Sequence, residues 1–172
     1  MKVIQPGSHL DHMIRQTRAH HTQLSAMADT KANMLLTMSS ILVTISLPFL
    51  AKPELRIVSY ILVPFCILAI LLAAYSTMPR LHLSKVDEVE PSSSAFNPLF
   101  FGHFNRLSYD EYAKVMESVL NDPSRCYEIQ LREIYTLGQF LEKRKYLFLR
   151  LSYIAFLVGI VLSAVVFASL SI

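Results

Sequence analysis

The apolar residues of this chain fall into three blocks that are separated by polar segments. The blocks cover residues 34–50, 57–78 and 151–172, and no acidic or basic residue interrupts any of them. The second and third blocks exceed the roughly 18–20 residues that a helix needs to cross a hydrocarbon core. The first block is shorter, but a helix that begins before it can supply the missing length. The pattern therefore predicts three transmembrane helices.

The positions of the prolines predict that the first and last helices are long. No proline occurs between Pro6 and Pro48, which predicts one helix of about forty residues that enters the first apolar block. Pro123 suits the first position of a helix, and no further proline follows it, so a last helix of about fifty residues is expected. Between them, Ser108 and Glu111 have the spacing of a capping box and predict the start of a short helix.

Composition and charge support a membrane protein and set its orientation. The chain is 53% apolar and only 17% charged, with a mean hydropathy of +0.40, which is too apolar for an ordinary soluble domain. Lys and Arg are frequent before the first block and in the long connection, whereas the turn between the first two blocks holds only Lys52 and Arg56. The positive-inside rule then places the N-terminus in the cytoplasm.

The net charge of +3 agrees with this topology and with attraction to anionic lipid rather than to a nucleic acid polymer. A cleaved signal peptide is not expected, because the first apolar block begins late in the chain. Residues 85–94 have the composition of an exposed linker. The expected fold is an all-α membrane protein made of a cytoplasmic N-terminal helix (1–33), a transmembrane hairpin (34–78), a cytoplasmic helical module (79–146) and a third transmembrane helix (147–172).

A stripe of polar residues continues from the first helix into the first apolar block. Asp29, Asn33, Thr37, Ser40 and Thr44 are three or four residues apart and share one helix face. Asp29 is expected at the membrane interface, since a charge at the bilayer centre costs about 2.5–3.5 kcal/mol. The stripe has two interpretations: it hydrogen-bonds neighbouring helices, or it lines a water path when subunits assemble.

A second spacing predicts which face of the N-terminal helix packs against a neighbouring helix. Apolar residues recur there every three or four positions, interrupted by Thr, His and Lys, which is typical of an adjustable contact rather than a permanent coiled coil. This seam contains Leu10, Met13, Thr17, His20, Leu24, Met27, Lys31 and Met34.

The segment "FNPLFFGHF" gathers four phenylalanines around an Asn-Pro turn. One interpretation is an aromatic cluster in a small core or at the lipid headgroups. The other is a ligand pocket in which an aromatic face stacks a base and Asn97, His103 or Arg106 contacts its edges or a phosphate. The helix start predicted at Ser108 adds free backbone N–H groups nearby.

Other polar clusters favour structural roles. The histidines near the N-terminus have no matching His or Cys cluster elsewhere, so no metal site is expected. The basic residues Lys143, Arg144, Lys145 and Arg150 are interpreted as an anchor at anionic headgroups. Gly159 has the spacing for close helix packing with Ser163. No nucleophile with a base, phosphate loop or catalytic carboxylate pair occurs, so neither an enzyme nor a cofactor is expected.

Four short motifs occur in an order that resembles a known family. "ADTKAN" at the first apolar block, "NPLFFGHF" followed by "YDEY", and "KYLFLR" before the third block are similar to those of the Pycsar transmembrane effectors of bacteria. The resemblance extends from about His20 to Gly159. It implies antiphage defence, in which a pyrimidine cyclase activated by infection makes cyclic CMP or cyclic UMP and the effector impairs the inner membrane. The matched positions are Asp29, Lys31, Ala32, Asn33, Asn97, Pro98, Gly102, His103 and Phe104.

The resemblance, combined with the residue patterns, leads to a specific expectation. A homo-oligomer in the bacterial inner membrane would bind cyclic CMP or cyclic UMP near Asn97, His103 and Arg106, with help from Asp29 and Lys31. Ligand binding would shift the long helices so that the polar stripe opens a leak. Two alternatives stay open, namely a ligand-independent channel or holin-like toxin and a binding module that the spans merely tether to the membrane.

Overall fold

The computed structural model describes residues 3, 6–78, 93 and 96–170 of the chain. The elements among these residues are helical and include no strand, which confirms the all-α prediction. The linker predicted at residues 85–94 lies, apart from Ser93, outside the described residues. The helices are α1 (Ser8–Ser46), α2 (Arg56–Thr77), α3 (Phe101–Phe104), α4 (Tyr109–Leu120), α5 (Pro123–Phe140) and α6 (Leu147–Leu170).

Both predicted long helices are present. α1 has 39 residues and gives way to a 3₁₀ turn at Leu47–Ala51, which contains Pro48. α5 continues into α6 through a π-helical turn at Leu141–Tyr146, which the sequence did not predict. At the start of α5, the Asp122 carboxylate accepts hydrogen bonds from the backbone N–H groups of Ser124 (3.0 Å) and Arg125 (3.3 Å), which is an N-cap followed by Pro123.

Among the described residues, three helical segments are long and apolar enough to cross a membrane by length and composition. They are Ser8–Ala51, Arg56–Thr77 and Pro123–Leu170. Each overlaps one of the apolar blocks recognised in the sequence. The prediction of three candidate membrane spans is therefore confirmed.

The chain divides into two compact units. The first comprises the described residues of Met1–Thr22 and Pro79–Gln139, and the second comprises those of Gln23–Met78 and Phe140–Ile172. α1 contributes its beginning to the first unit and the rest to the second. The last long helix likewise contributes α5 mainly to the first unit and the π-helical turn and α6 to the second.

Small residues bring α2 and α6 together as antiparallel helices in the second unit. The Ser152 hydroxyl donates a hydrogen bond of 2.6 Å to the carbonyl oxygen of Ala69, and both residues are buried. At Gly159, an added Cβ would lie 2.5 Å from the Cβ of Phe65. Ser163 is also buried. The close packing predicted from Gly159 and Ser163 is confirmed, because only residues without bulky side chains permit this approach.

In the second unit, α1 packs through a different face from the predicted seam. Ala28, Ala32 and Leu35 are buried, while the seam residues Met27 and Met34 are exposed. The packed face thus lies one position further along the helix than the apolar spacing predicted. The physical reason is that the alanines allow close approach of the backbones, whereas long methionine side chains would hold the helices apart.

In the first unit, α1 and α5 run parallel and are joined by polar contacts. The Tyr127 hydroxyl donates a hydrogen bond of 2.6 Å to the Asp11 carboxylate. Further along both helices, the Arg18 guanidinium lies 2.9 Å from the Glu133 carboxylate. Because both pairs advance in the same direction along the two helices, they fix the register of α5 against α1.

Candidate functional site

The segment before α3 forms a turn that is held by its own side chains. The Asn97 side-chain oxygen accepts a hydrogen bond of 2.9 Å from the backbone N–H of Leu99, which is an Asx turn. The backbone N–H of Asn97 donates to Nδ1 of His103 at 2.9 Å. The His103 ring lies 5.7 Å from the Phe96 ring and 5.2 Å from the Phe100 ring. Asn97 and His103 therefore build the turn together with the aromatic residues.

The predicted capping box holds the start of α4. The Ser108 backbone N–H donates to the Glu111 carboxylate at 2.9 Å, and the Glu111 backbone N–H donates to the Ser108 hydroxyl at 3.4 Å. The Ser108 hydroxyl also donates to the Glu111 carboxylate at 2.8 Å. The bonds from the Ser108 backbone N–H and hydroxyl lower the pKa of the Glu111 carboxyl, because they stabilise its ionised form. This start places Tyr112 5.1 Å from the Phe104 ring, so α4 supports the aromatic turn.

A cleft of about 320 Å³ lies within the first unit beside this turn. This volume is at the lower end of the range for small-molecule sites. One wall is the aromatic turn, and another is the first half of α5. The lining residues are Ser93, Phe96, Asn97, Pro98, Val115, Asp122, Ser124, Arg125, Glu128, Ile129 and Arg132.

Among the charged side chains of the cleft, Arg125 is the one for which the described part of the chain provides no ion pair and no side-chain hydrogen bond. Arg132 pairs with Glu128 at 3.5 Å, and the Asp122 carboxylate caps α5. The Arg125 guanidinium is exposed and has no hydrogen-bond or ion-pair partner among the described residues. An unpaired guanidinium can bind an anionic oxygen pair with two parallel hydrogen bonds.

Asn97 and Phe96 add polar and aromatic chemistry to the same cleft. The Asn97 side-chain oxygen is bonded to Leu99, while its amide nitrogen has no partner in the part of the chain that the structure describes. Phe96 is largely buried and contributes ring surface. The cleft therefore combines a cation, an amide donor and an aromatic wall, which suits a small anion that carries a planar ring.

The five residues predicted to bind a ligand are divided between the two units. Asn97 lines the cleft, and His103 lies behind it as the acceptor of its backbone N–H. Arg106 is exposed and is not among the cleft residues. Asp29 and Lys31 belong to the second unit, where Lys31 is exposed and Asp29 is paired.

Asp29 is paired with Lys145, a contact that the sequence analysis missed. The Lys145 ammonium lies 2.6 Å from Oδ2 of Asp29 and also donates to the hydroxyl and the carbonyl oxygen of Ser25. Lys145 is buried, so its interpretation as a headgroup anchor is wrong; its neighbours Lys143 and Arg144 are exposed and keep that interpretation. Lys145 lies in the π-helical turn, whose irregular register no sequence spacing revealed.

The polar stripe of α1 faces away from the other helices of its unit. Asn33, Thr37, Ser40 and Thr44 are all exposed. The hydroxyls of Thr37 and Thr44 donate to carbonyl oxygens of α1 itself, at 2.9 Å in each case. Among the described residues, no hydrogen bond joins these four side chains to α2 or α6, so both interpretations of the stripe, hydrogen bonding to neighbouring helices and a water path between subunits, stay predictions.

Sequence reasoning also missed Arg125 and Arg132. Arg125, Glu128, Ile129 and Arg132 follow one another by three, one and three positions, so they share one face of α5. That spacing was a usable signal, but nothing in the sequence indicated that this face lines a cleft. Regarding metals, the described part of the chain places no three His, Cys, Asp or Glu side chains together as a ligand set.

The fold defines an all-helical, multi-pass membrane protein, and a cleft lies in its first unit. The family model described as the Pycsar effector protein domain matches residues 12–171. The chain therefore belongs to the Pycsar effector family, and it is an antiphage defence effector associated with cyclic pyrimidine nucleotide signalling. No curated protein and no solved structure matches the chain.

Proposed function

We propose that this protein senses cyclic CMP or cyclic UMP in the cleft of its first unit and in response permeabilises or otherwise impairs the bacterial inner membrane. It acts by binding rather than by catalysis, as a homo-oligomer with its N-terminus in the cytoplasm. The observation that carries the proposal is the guanidinium of Arg125, which has no partner among the described residues, beside Phe96 and Asn97 in a cleft of about 320 Å³.

The chemistry of the ligand matches these groups. A cyclic nucleotide carries one negative charge on its phosphodiester, and one guanidinium can bind two of its oxygens. The amide nitrogen of Asn97 can donate to a carbonyl oxygen of the base, and the Phe96 ring offers an apolar contact. The choice of a pyrimidine over a purine nucleotide rests on the family, and the cleft of about 320 Å³ is within the size range of small-molecule sites.

The remaining predicted ligand residues have different relations to the cleft. His103 supports Asn97 through its backbone N–H and thus acts as a positioning residue. The roles of Arg106, Asp29 and Lys31 rest on the sequence analysis alone. We infer that they contribute less to nucleotide affinity than Arg125, since Arg106 is outside the cleft lining and Asp29 is already paired.

The exposed polar stripe supports assembly of several copies in the membrane. Lipid tails cannot hydrogen-bond. Polar side chains that face away from the other helices of the same chain therefore favour contact with a second copy or with water. The side-chain amide of Asn33 has no partner among the described residues. Assembly through α1 would bring several stripes together around a water path. The nucleotide opens that path by binding the open arrangement more tightly than the closed one.

The decisive experiment measures ion and dye release from liposomes that contain the purified full-length protein. Cyclic CMP, cyclic UMP, cyclic AMP, cyclic GMP and no nucleotide are compared side by side. We expect release with one pyrimidine nucleotide and a tight membrane otherwise. Equal release in every lane would mean a ligand-independent channel, and no release in any lane would mean a tethered binding module.

Substitution of Arg125 tests the cleft. Loss of a hydrogen-bonded charge costs about 1.5–3 kcal/mol, so Arg125→Gln should raise the nucleotide concentration for half-maximal release by about tenfold or more. Lys114→Gln is the matched control, because Lys114 is an exposed cation on α4 that does not line the cleft. Equal concentrations for the wild type and Arg125→Gln would exclude this cleft as the site.

The stripe is tested by replacing its hydroxyl residues together with leucine. The triple variant Thr37→Leu, Ser40→Leu, Thr44→Leu should abolish release while nucleotide binding, measured by calorimetry, is unchanged. Unchanged release would exclude the stripe as the water path. The control replaces the exposed apolar residues of the same helix, Met38, Ile41 and Ile45, by leucine.

A further inference from the structure

Lys145 is bound in the second unit through every donor that it has. Its ammonium carries three hydrogens, and three acceptors surround it: Oδ2 of Asp29 at 2.6 Å, the hydroxyl of Ser25 at 2.6 Å and the carbonyl oxygen of Ser25 at 3.2 Å. The Lys145 side chain is 8% exposed. A buried cation with a complete set of acceptors holds the π-helical turn against α1.

The main chain of Lys145 makes a second connection. Its carbonyl oxygen accepts a hydrogen bond of 3.0 Å from the buried hydroxyl of Ser76 near the end of α2. Lys145 therefore links the π-helical turn both to α1 and to α2. Tyr146 adds a hydrogen bond of 3.2 Å to the carbonyl oxygen of Leu24. These contacts hold the beginning of α6 against both α1 and α2 in the second unit.

Stability alone does not account for this arrangement. The Asp29 side chain is 41% exposed, and an ion pair that water reaches on one side contributes little to stability. In addition, Oδ1 of Asp29 is buried and has no hydrogen-bond partner among the described residues. Because this carboxylate oxygen lacks a donor, the observed arrangement is less favourable than another arrangement of the helices that supplies a hydrogen-bond donor to it. The contact between Lys145 and Asp29 thus has the properties of one that can break in favour of other contacts.

The π-helical turn supplies a second register for such an exchange. A π turn contains one more residue than the corresponding α turn. If the turn changed to α-helical hydrogen bonding, the residues beyond it would rotate by about 100°, the angle of one residue in an α-helix. That rotation removes Lys145 from Asp29 and changes which face of α6 meets α1 and α2.

We propose that Ser25, Asp29 and Lys145 form a lock that keeps the membrane spans in their closed arrangement, and that this lock must open before the membrane leaks. The inference rests on the proposed function for its trigger, because the nucleotide acts by favouring the unlocked arrangement. The signal travels along α1 and the last helix, since both are continuous from the first unit to the lock. Asp29 is then part of the gating apparatus rather than a ligand residue.

Two measurements test the lock, both on the full-length protein in liposomes. The first is release without nucleotide. The second is amide hydrogen exchange of residues 141–147, which reports how strongly the backbone of the π-helical turn is protected. This measurement does not depend on whether a nucleotide triggers release. The variants are Lys145→Met, which removes the cation, and Ser25→Ala, which removes one acceptor and no charge. Lys143→Met is the control, because Lys143 is an exposed cation of the same turn.

For Lys145→Met we expect at least tenfold faster release without nucleotide and at least tenfold faster exchange at residues 141–147. Ser25→Ala should give smaller increases in both, and Lys143→Met should match the wild type. Should Lys145→Met not fold, Ser25→Ala decides the outcome. Wild-type release and exchange in both variants would overturn the lock.

The failure of the proposed function has a different signature. In that case the wild type gives no nucleotide-dependent release, while the exchange measurement still reports on the lock. Faster exchange in Lys145→Met and Ser25→Ala would then support the lock without its trigger. Exchange equal to that of the wild type would refute the lock independently of any nucleotide.

Discussion

Two helical glycines allow the same substitution to be compared in a tight and in an open environment. At Gly159 of α6, an added Cβ would lie 2.5 Å from the Cβ and 3.1 Å from the Cγ of Phe65. At Gly138 of α5, the nearest atom is Cε1 of His21 at 3.4 Å, which is ordinary van der Waals contact. Gly159→Ala therefore requires α2 and α6 to move apart, whereas Gly138→Ala requires no movement.

The difference between the two variants isolates the cost of that movement. Alanine is favoured over glycine inside a helix by about 1 kcal/mol at either position, so this contribution largely cancels in the comparison. The overlap at Gly159 involves a Cβ that is fixed to the backbone of Phe65 and cannot turn aside. Forced overpacking of this kind costs about 1–3 kcal/mol. We expect Gly159→Ala to be less stable than Gly138→Ala by about 2 kcal/mol.

Thermal unfolding in detergent micelles, followed by far-ultraviolet circular dichroism, measures this difference. For a chain of this size, 2 kcal/mol corresponds to about 4–8 °C in Tm. Phe65→Ala should not rescue Gly159→Ala, because alanine retains the Cβ that causes the overlap. Equal Tm values for Gly138→Ala and Gly159→Ala, or rescue by Phe65→Ala, would refute the close approach of α2 and α6.

Two further predictions concern the first unit. Ser108→Ala removes the N-cap of α4, worth about 1 kcal/mol, and should speed amide exchange in the first turn of α4 about fivefold. It should also reduce the loss of stability that the wild type shows as the pH falls through the lowered pKa of Glu111, because the hydroxyl is lost while the backbone N–H of residue 108 still donates to the carboxylate; unchanged exchange would contradict the cap. The hydrogen bond to Asp11 raises the pKa of Tyr127, so the stability it provides is present below the unfolded pKa of about 10 and is lost as the pH rises through the folded value. The measurement is thermal unfolding at about pH 8 and about pH 11. At the lower pH, Tyr127→Phe should have a lower Tm than the wild type, and its Tm should fall less than that of the wild type between the lower and the higher pH. A fall in Tm as large as that of the wild type would contradict the hydrogen bond.

The sequence determined the helices and where they begin. Uninterrupted apolar blocks specify membrane spans, since charged residues inside lipid are costly. The absence of proline from α1, and the cap and proline at Asp122 and Pro123, fixed two long helices. The capping box at Ser108 fixed α4. These features depend on residues that are close together in the sequence, so they can be predicted without tertiary information.

The tertiary structure alone decided which faces pack and which charges meet. The seam of α1 was predicted one position away from the buried face, because apolar spacing does not reveal where small residues such as Ala28 and Ala32 permit close approach. Asp29 and Lys145 are 116 residues apart in the chain. Lys145 reaches Asp29 from a π-helical turn that no periodic pattern in the sequence predicts. Contacts between distant residues depend on how helices dock, and the docking is set by packing throughout each unit rather than by any local pattern.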